Sequence, residues 1–151
     1  MNLLFISISG NTRAFVQRLQ AYAAEQTVEA DWTIKEIHDN SALTEETEPF
    51  VAFVPTYLEG GNGVDNGDQE ILTETLREYI DFGDNAQHCL GVIGSGNKNF
   101  NYQYCLTAKQ YATQFAVPFL ADFELRGTNQ DIERIYHILK EIEPHPTEAI
   151  K

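Results

Sequence analysis

Apolar positions along this chain come in two forms: short solid blocks, and longer stretches in which they recur every third or fourth residue. The first form predicts strands and the second predicts helices with one buried face. Leu3-Leu4-Phe5-Ile6 is a block, and a helical pattern beginning near Arg13 follows it, with Phe15, Leu19, Tyr22 and Ala23 on one face. Ala30, Trp32 and Ile34 then alternate with Asp31, Thr33 and Lys35, the mark of a strand with one exposed face, as at a sheet edge. A polar, acidic connection runs from Asn40 to Glu48. Phe50-Val51-Ala52-Phe53-Val54, apolar throughout and bounded by Pro49 and Pro55, predicts a central strand buried on both faces.

The alternation continues to the end of the chain. Leu72, Leu76, Tyr79 and Ile80 mark the inner face of a second helix that Asp68 can cap, and Cys89-Leu90-Gly91-Val92-Ile93 is a fourth strand. Tyr104, Ala108, Tyr111, Ala112 and Phe115 mark a third helix, and Pro118 through Leu125 form a fifth strand. Thr128 with Asp131 resembles a capping box in which Asp replaces the usual Glu, ahead of a last helix lined by Ile132, Ile135, Tyr136, Leu139 and Ile142. Five strands interleaved with helices predict a three-layer α/β sandwich: a parallel five-stranded sheet of flavodoxin-like order 2-1-3-4-5, joined by right-handed crossovers. Residues 1–143 read as one domain and 144–151 as a short frayed tail.

In such a sheet, ligands sit beyond the carboxyl ends of the strands, where the strand order reverses. Three loops of suitable chemistry arrive there. Ser7-Ile8-Ser9-Gly10-Asn11-Thr12 leads from a strand into a helix, where unpaired N–H groups and the helix dipole favour an anion. Ser7, Ser9 and Thr12 add hydroxyls, Asn11 an amide, and Gly10 permits close approach; Ser9 or Thr12 can equally serve as a plain helix cap. Pro55-Thr56-Tyr57-Leu58-Glu59-Gly60-Gly61-Asn62-Gly63 and Gly94-Ser95-Gly96-Asn97-Lys98-Asn99-Phe100 follow the third and fourth strands.

What is missing narrows the ligand. There is no GxxxxGK[ST] for a nucleoside triphosphate and no GxGxxG after the first strand. Pro55-Thr56 stands where a response regulator would need a phosphate-accepting carboxylate, and the first loop has no nucleophilic cysteine. A phosphate held by neutral donors remains, and FMN fits that description.

Charge and cysteine content change the picture only by exclusion. The formal net charge of −13 opposes nucleic acid or an anionic membrane as main partner. The apolar run at the start is too short for a signal peptide or membrane span and has no basic flank, so the chain is expected to stay in the cytoplasm. Cys89 and Cys105 form no CxxC pair, and His38, His88, His137 and His145 show no metal spacing, so no metal is expected. Cys89, within an apolar run, reads as a small core residue.

Ser9-Gly-Asn-Thr12, Pro55-Thr-Tyr57, Gly94-Ser-Gly-Asn-Lys-Asn-Phe100 and Phe123-Glu-Leu-Arg-Gly-Thr128, in that order, resemble the NrdI family, flavodoxin-like activators of class Ib ribonucleotide reductase. The resemblance implies an accessory redox flavoprotein rather than a stand-alone enzyme. Its reduced FMN reacts with dioxygen and passes superoxide to the dimanganese site of the reductase's radical-bearing subunit, where a tyrosyl radical forms. A flavin reductase or other electron donor is implied as a second partner.

By position, Ser7, Ser9, Gly10, Asn11 and Thr12 should hold the phosphate. Thr56, Tyr57, Leu58, Glu59 and Gly60 on one side, with Gly94, Ser95, Gly96, Asn97, Asn99 and Phe100 on the other, should line the isoalloxazine. Tyr57 and Phe100 either stack on the ring or tuck against the core, and Asn97 and Asn99 either face it or shape a turn. Gly60, Gly61 and Gly63 would allow a peptide flip beside the flavin. The family commonly runs glycines directly after the tyrosine, whereas Leu58-Glu59 intervenes here, and Glu59 would lower the second reduction potential. The alternative function is a general flavodoxin-type carrier of single electrons; a flavin-free interaction module is a third.

Overall fold

A computed structural model describes residues 1–26, 31–57 and 70–144, without the side chains of residues 100–102. Five strands, β1 (Asn2–Phe5), β2 (Thr33–Glu36), β3 (Phe50–Pro55), β4 (Cys89–Gly96) and β5 (Phe119–Glu124), form one sheet of order β2-β1-β3-β4-β5. Every pairing is parallel, so each connection must cross over the sheet. The helices that do so are α1 (Asn11–Gln26), α2 (Glu74–Asp81) and α3 (Leu106–Phe115), and α4 (Asn129–Ile142) closes the chain.

The sheet separates two cores. Leu3, Phe5, Val51, Phe53, Ile93 and Phe123 pack with Phe15 and Leu19 of α1 and with Ile132, Ile135 and Leu139 of α4. Leu4, Phe50, Ala52, Val54 and Val92 pack on the other face with Leu76 and Ile80 of α2 and with Ala108 and Tyr111 of α3. All six residues of β3 are buried, as its unbroken apolar run predicts for the middle of a two-sided sheet. Phe15 stacks on Phe123 with ring centroids 3.8 Å apart, which ties α1 to the end of β5. The capping box at α4 is present in both directions, Asp131 N–H to Thr128 Oγ1 at 3.1 Å and Thr128 N–H to Asp131 Oδ2 at 2.8 Å.

Four expectations need correction. Leu72 does not lie on the inner face of α2: it precedes the helix, at φ +70°, and is half exposed. The N-cap position of α2 belongs to Thr73, and Asp68 lies outside the described residues, as does Ala30 of the edge-strand pattern. Tyr104 stands in the turn ahead of α3 rather than on its face. β4 runs on through Gly94, Ser95 and Gly96, because Val54 and Pro55 of β3 and Asp122, Phe123 and Glu124 of β5 continue to pair with it.

The acidic connection before β3 also hides a buried acid. Glu46 accepts from Lys35 Nζ at 2.7 Å and from Tyr79 Oη at 2.5 Å, while its N–H donates to Asn85 Oδ1 at 2.7 Å. Burial works to raise the Glu46 carboxyl pKa, but the hydrogen bonds from Lys35, Tyr79 and Asn2 outweigh it and hold the group below the usual carboxylate range.

Candidate functional site

β1 leads outward to β2, while β3 begins the opposite half of the sheet, so the strand order reverses between β1 and β3. Their carboxyl ends, joined by that of β4, enclose a cavity of about 310 Å³. The switch point of an open parallel sheet is where doubly wound folds bind their ligands.

The loop after β1 supplies one wall, with Asn11 and Thr12 lining the cavity. Gly10 sits at φ +94°, and a Cβ built there would meet no atom within 4 Å, so the backbone faces open space on that side. Ser7 Oγ accepts from Arg13 N–H at 3.2 Å, and Ala14 N–H donates to Gly10 O at 3.0 Å, which starts the helix. The backbone N–H groups of Ser9, Gly10, Asn11 and Thr12 find no acceptor among the described residues. The Arg13 guanidinium is committed to Glu36 on β2, with contacts of 2.8 and 2.5 Å, and that partner raises its pKa. The loop's own donors are therefore neutral.

The end of β3 supplies the second wall: Pro55, Thr56 and Tyr57 line the cavity, and Ile71 joins them because its N–H donates to Tyr57 O at 2.9 Å. That bond brings the two ends of the 58–70 connection together. Tyr57 Oη donates to Ser9 Oγ at 3.0 Å, bridging this wall to the first loop. Thr56 Oγ1 is buried and has no hydrogen-bond partner among the described residues, an arrangement that costs about 1–3 kcal/mol unless a further group completes it.

The third wall is the end of β4, where Ser95, Gly96 and Asn97 line the cavity with Gln103 and Leu125 beside them. Leu125 N–H donates to Gly96 O at 2.9 Å, and Asn97 Oδ1 accepts from Asn99 N–H at 2.9 Å. Leu125 is held at φ +54° and is about half exposed, an apolar side chain presented at the rim against backbone preference.

Of the residues singled out from sequence, Asn11, Thr12, Thr56, Tyr57, Ser95, Gly96 and Asn97 come together around the cavity, with Ser7, Ser9 and Gly10 in the adjoining loop. Gly94 does not line it. It packs beneath α3, where a Cβ would stand 2.9 Å from Ala108 Cβ and 3.0 Å from Cys105 Cβ. Asn99 is exposed and serves the turn through its N–H. The backbone of Phe100 belongs to the 3-10 turn Lys98–Gln103, and its side chain lies outside the described residues, as do Leu58, Glu59, Gly60 and the other loop glycines Gly61 and Gly63. Ile71, Gln103 and Leu125 were not anticipated as lining residues. Leu125 alone left a trace, since it falls inside the Phe123–Thr128 motif.

Strand order and cavity position define a flavodoxin-like α/β protein. A Fusobacterium nucleatum flavodoxin solved bound to flavin mononucleotide has a similar fold, with a TM-score of 0.62 at 14% identity, covering 93% of this chain and 95% of that one. A family model described as NrdI Flavodoxin like matches residues 3–137. An NrdI-like protein of Streptococcus pyogenes is 57% identical over 141 residues, 92% of this chain and 91% of its own length. Protein NrdI of Rhodococcus jostii is 35% identical over 141 residues, 93% and 83% of the respective chains. The chain belongs to the NrdI flavodoxin-like family.

Proposed function

We propose that this chain binds FMN in the cavity at the crest of the sheet and supplies superoxide for assembly of the dimanganese-tyrosyl radical cofactor in the radical-bearing subunit of class Ib ribonucleotide reductase. The observation that carries the FMN part is the cavity at the strand-order reversal, which adjoins a loop whose Ser9, Gly10, Asn11 and Thr12 N–H groups find no acceptor among the described residues. Family membership supports the link to ribonucleotide reductase.

The residues present fit the group. A phosphate dianion only accepts hydrogen bonds, and the first loop offers backbone N–H groups, hydroxyls and the Asn11 amide. The flavin ring presents two broad flat faces with a polar edge, and Pro55, Tyr57, Ile71 and Leu125 give the cavity apolar surface suited to those faces. When bound, FMN would supply electron transfer and reaction with dioxygen; the chain's part is to hold it, fix its orientation and control access. The exposed Leu125 and Ile71 at the rim would offer apolar surface to a docking subunit.

The test is to load the protein with FMN, reduce it anaerobically, and mix it with the candidate radical subunit, Mn²⁺ and oxygen. A tyrosyl radical signal that depends on the reduced protein is the expected result. Its absence, with efficient single-electron delivery from a flavin reductase to a heme acceptor, would overturn the partnership and favour a general electron carrier.

A further inference from the structure

The first loop contains two hydroxyls whose oxygens already accept a hydrogen bond from the protein. Ser7 Oγ receives Arg13 N–H at 3.2 Å, and Ser9 Oγ receives Tyr57 Oη–H at 3.0 Å. A serine hydroxyl has one hydrogen to give, and an oxygen that is already accepting keeps that hydrogen free to point elsewhere. Bonds in such a chain polarise one another, so a hydroxyl that accepts becomes a better donor. Ser7 gains this bias from its own helix. Ser9 gains it from a residue 48 positions away on the opposite wall of the cavity.

We infer that Tyr57 is a positioning residue for the phosphate: its hydroxyl turns the Ser9 O–H toward the anion and so makes the site prefer a phosphorylated flavin to an unphosphorylated one. This rests on the FMN reading above. The role is separate from any packing of the Tyr57 ring, because a phenylalanine would keep the ring and lose only the donor. It also follows that Tyr57 couples two loops that the sequence presents as independent, the phosphate loop after β1 and the ring wall after β3. A ligand without a phosphate offers Ser9 no acceptor at that place and should be indifferent to the bond.

The experiment is a set of binding titrations with FMN and with riboflavin, followed by flavin fluorescence, on the wild type, Tyr57→Phe, Ser9→Ala and the double variant. Tyr57→Phe should weaken FMN by about three- to tenfold, the span of one hydrogen bond, and leave riboflavin within about twofold. In the Ser9→Ala background, Tyr57→Phe should cost FMN nothing further, since the group it orients is gone. Equal losses for both ligands, or a loss that persists without the Ser9 hydroxyl, would overturn the inference while leaving the FMN reading intact. A wild type that takes up neither ligand would overturn both. Circular dichroism of the four proteins identifies any variant that fails to fold, and Tyr57→Leu, which keeps apolar bulk and has no side-chain donor, then repeats the comparison.

Discussion

Thr56 makes a prediction with two opposite signs. Its Oγ1 is buried just past β3 and has no partner among the described residues, so the flavin-free protein bears the desolvation of that hydroxyl without compensation from them. Valine has the same branched shape with a methyl in place of the hydroxyl. From a penalty of about 1–3 kcal/mol for an unsatisfied buried group, Thr56→Val should stabilise the flavin-free protein by about 1 kcal/mol, or about 2–4 °C in Tm for a chain of this size. The same change removes a hydrogen bond that the ligand would complete and should weaken FMN about tenfold, equivalent to about 1.4 kcal/mol. Urea unfolding of flavin-stripped protein, followed by circular dichroism, measures the first effect, and fluorescence titration with FMN measures the second. Flavin-free Thr56→Val that is less stable than wild type, or that binds FMN with unchanged affinity, would refute the reasoning.

Other predictions follow from the packing around the site. Glu46 has a folded pKa below its ordinary value, so its contribution to stability is present above the unfolded carboxylate pKa and is lost as pH falls through the folded one. The stability gap between wild type and Glu46→Gln, measured by urea midpoint, should therefore be open at about pH 7 and close in acid below about pH 4; a gap that does not change with pH would contradict this. Gly127 sits at φ +71°, and a Cβ there would lie 2.6 Å from two ring atoms of the buried Phe15, so Gly127→Ala should cost about 2–4 kcal/mol from strain and overpacking together, read by thermal unfolding. Burial pushes the Cys89 thiol up to about 11 and the Cys105 thiol up to about 12. Neither should react with a thiol reagent at neutral pH until the chain is unfolded, and rapid labelling of native protein would show that one of them is accessible.

How far the sequence could be read depended on whether a feature was local. The strand blocks at Leu3–Ile6 and Phe50–Val54, the helix faces built on Phe15 and Ile132, and the Thr128–Asp131 capping box were all legible, because each is a pattern within one element and its physical cause lies within a few residues. Errors gathered where a neighbour decided the outcome. Gly94 looks like part of a ligand loop, yet pairing with β3 and β5 keeps it in a strand, and the approach of α3 accounts for its missing side chain. Leu72 fits the helical period of α2, but the chain turns through φ +70° there and the helix starts two residues later. Nothing in the polar connection from Asn40 to Glu48 distinguishes Glu46 from its neighbours, and only the meeting of β2, α2 and the turn at Asn85 gives it partners in the interior.

The site divides the same way. Sequence alone determined that hydroxyls, an amide and a permissive glycine follow the first strand, and that glycine-bearing loops follow the third and fourth, since these are choices of residue type at element ends. Tertiary structure decided which of them share one cavity, that Ile71 and Leu125 stand at its rim, that Thr56 Oγ1 has no partner among the described residues, and that Tyr57 reaches across to Ser9. The physical reason is distance along the chain. Periodicity and capping are set by neighbours three or four residues away, whereas the cavity is made by residues from Asn11 to Leu125 that meet only when the crossovers bring the strand ends side by side.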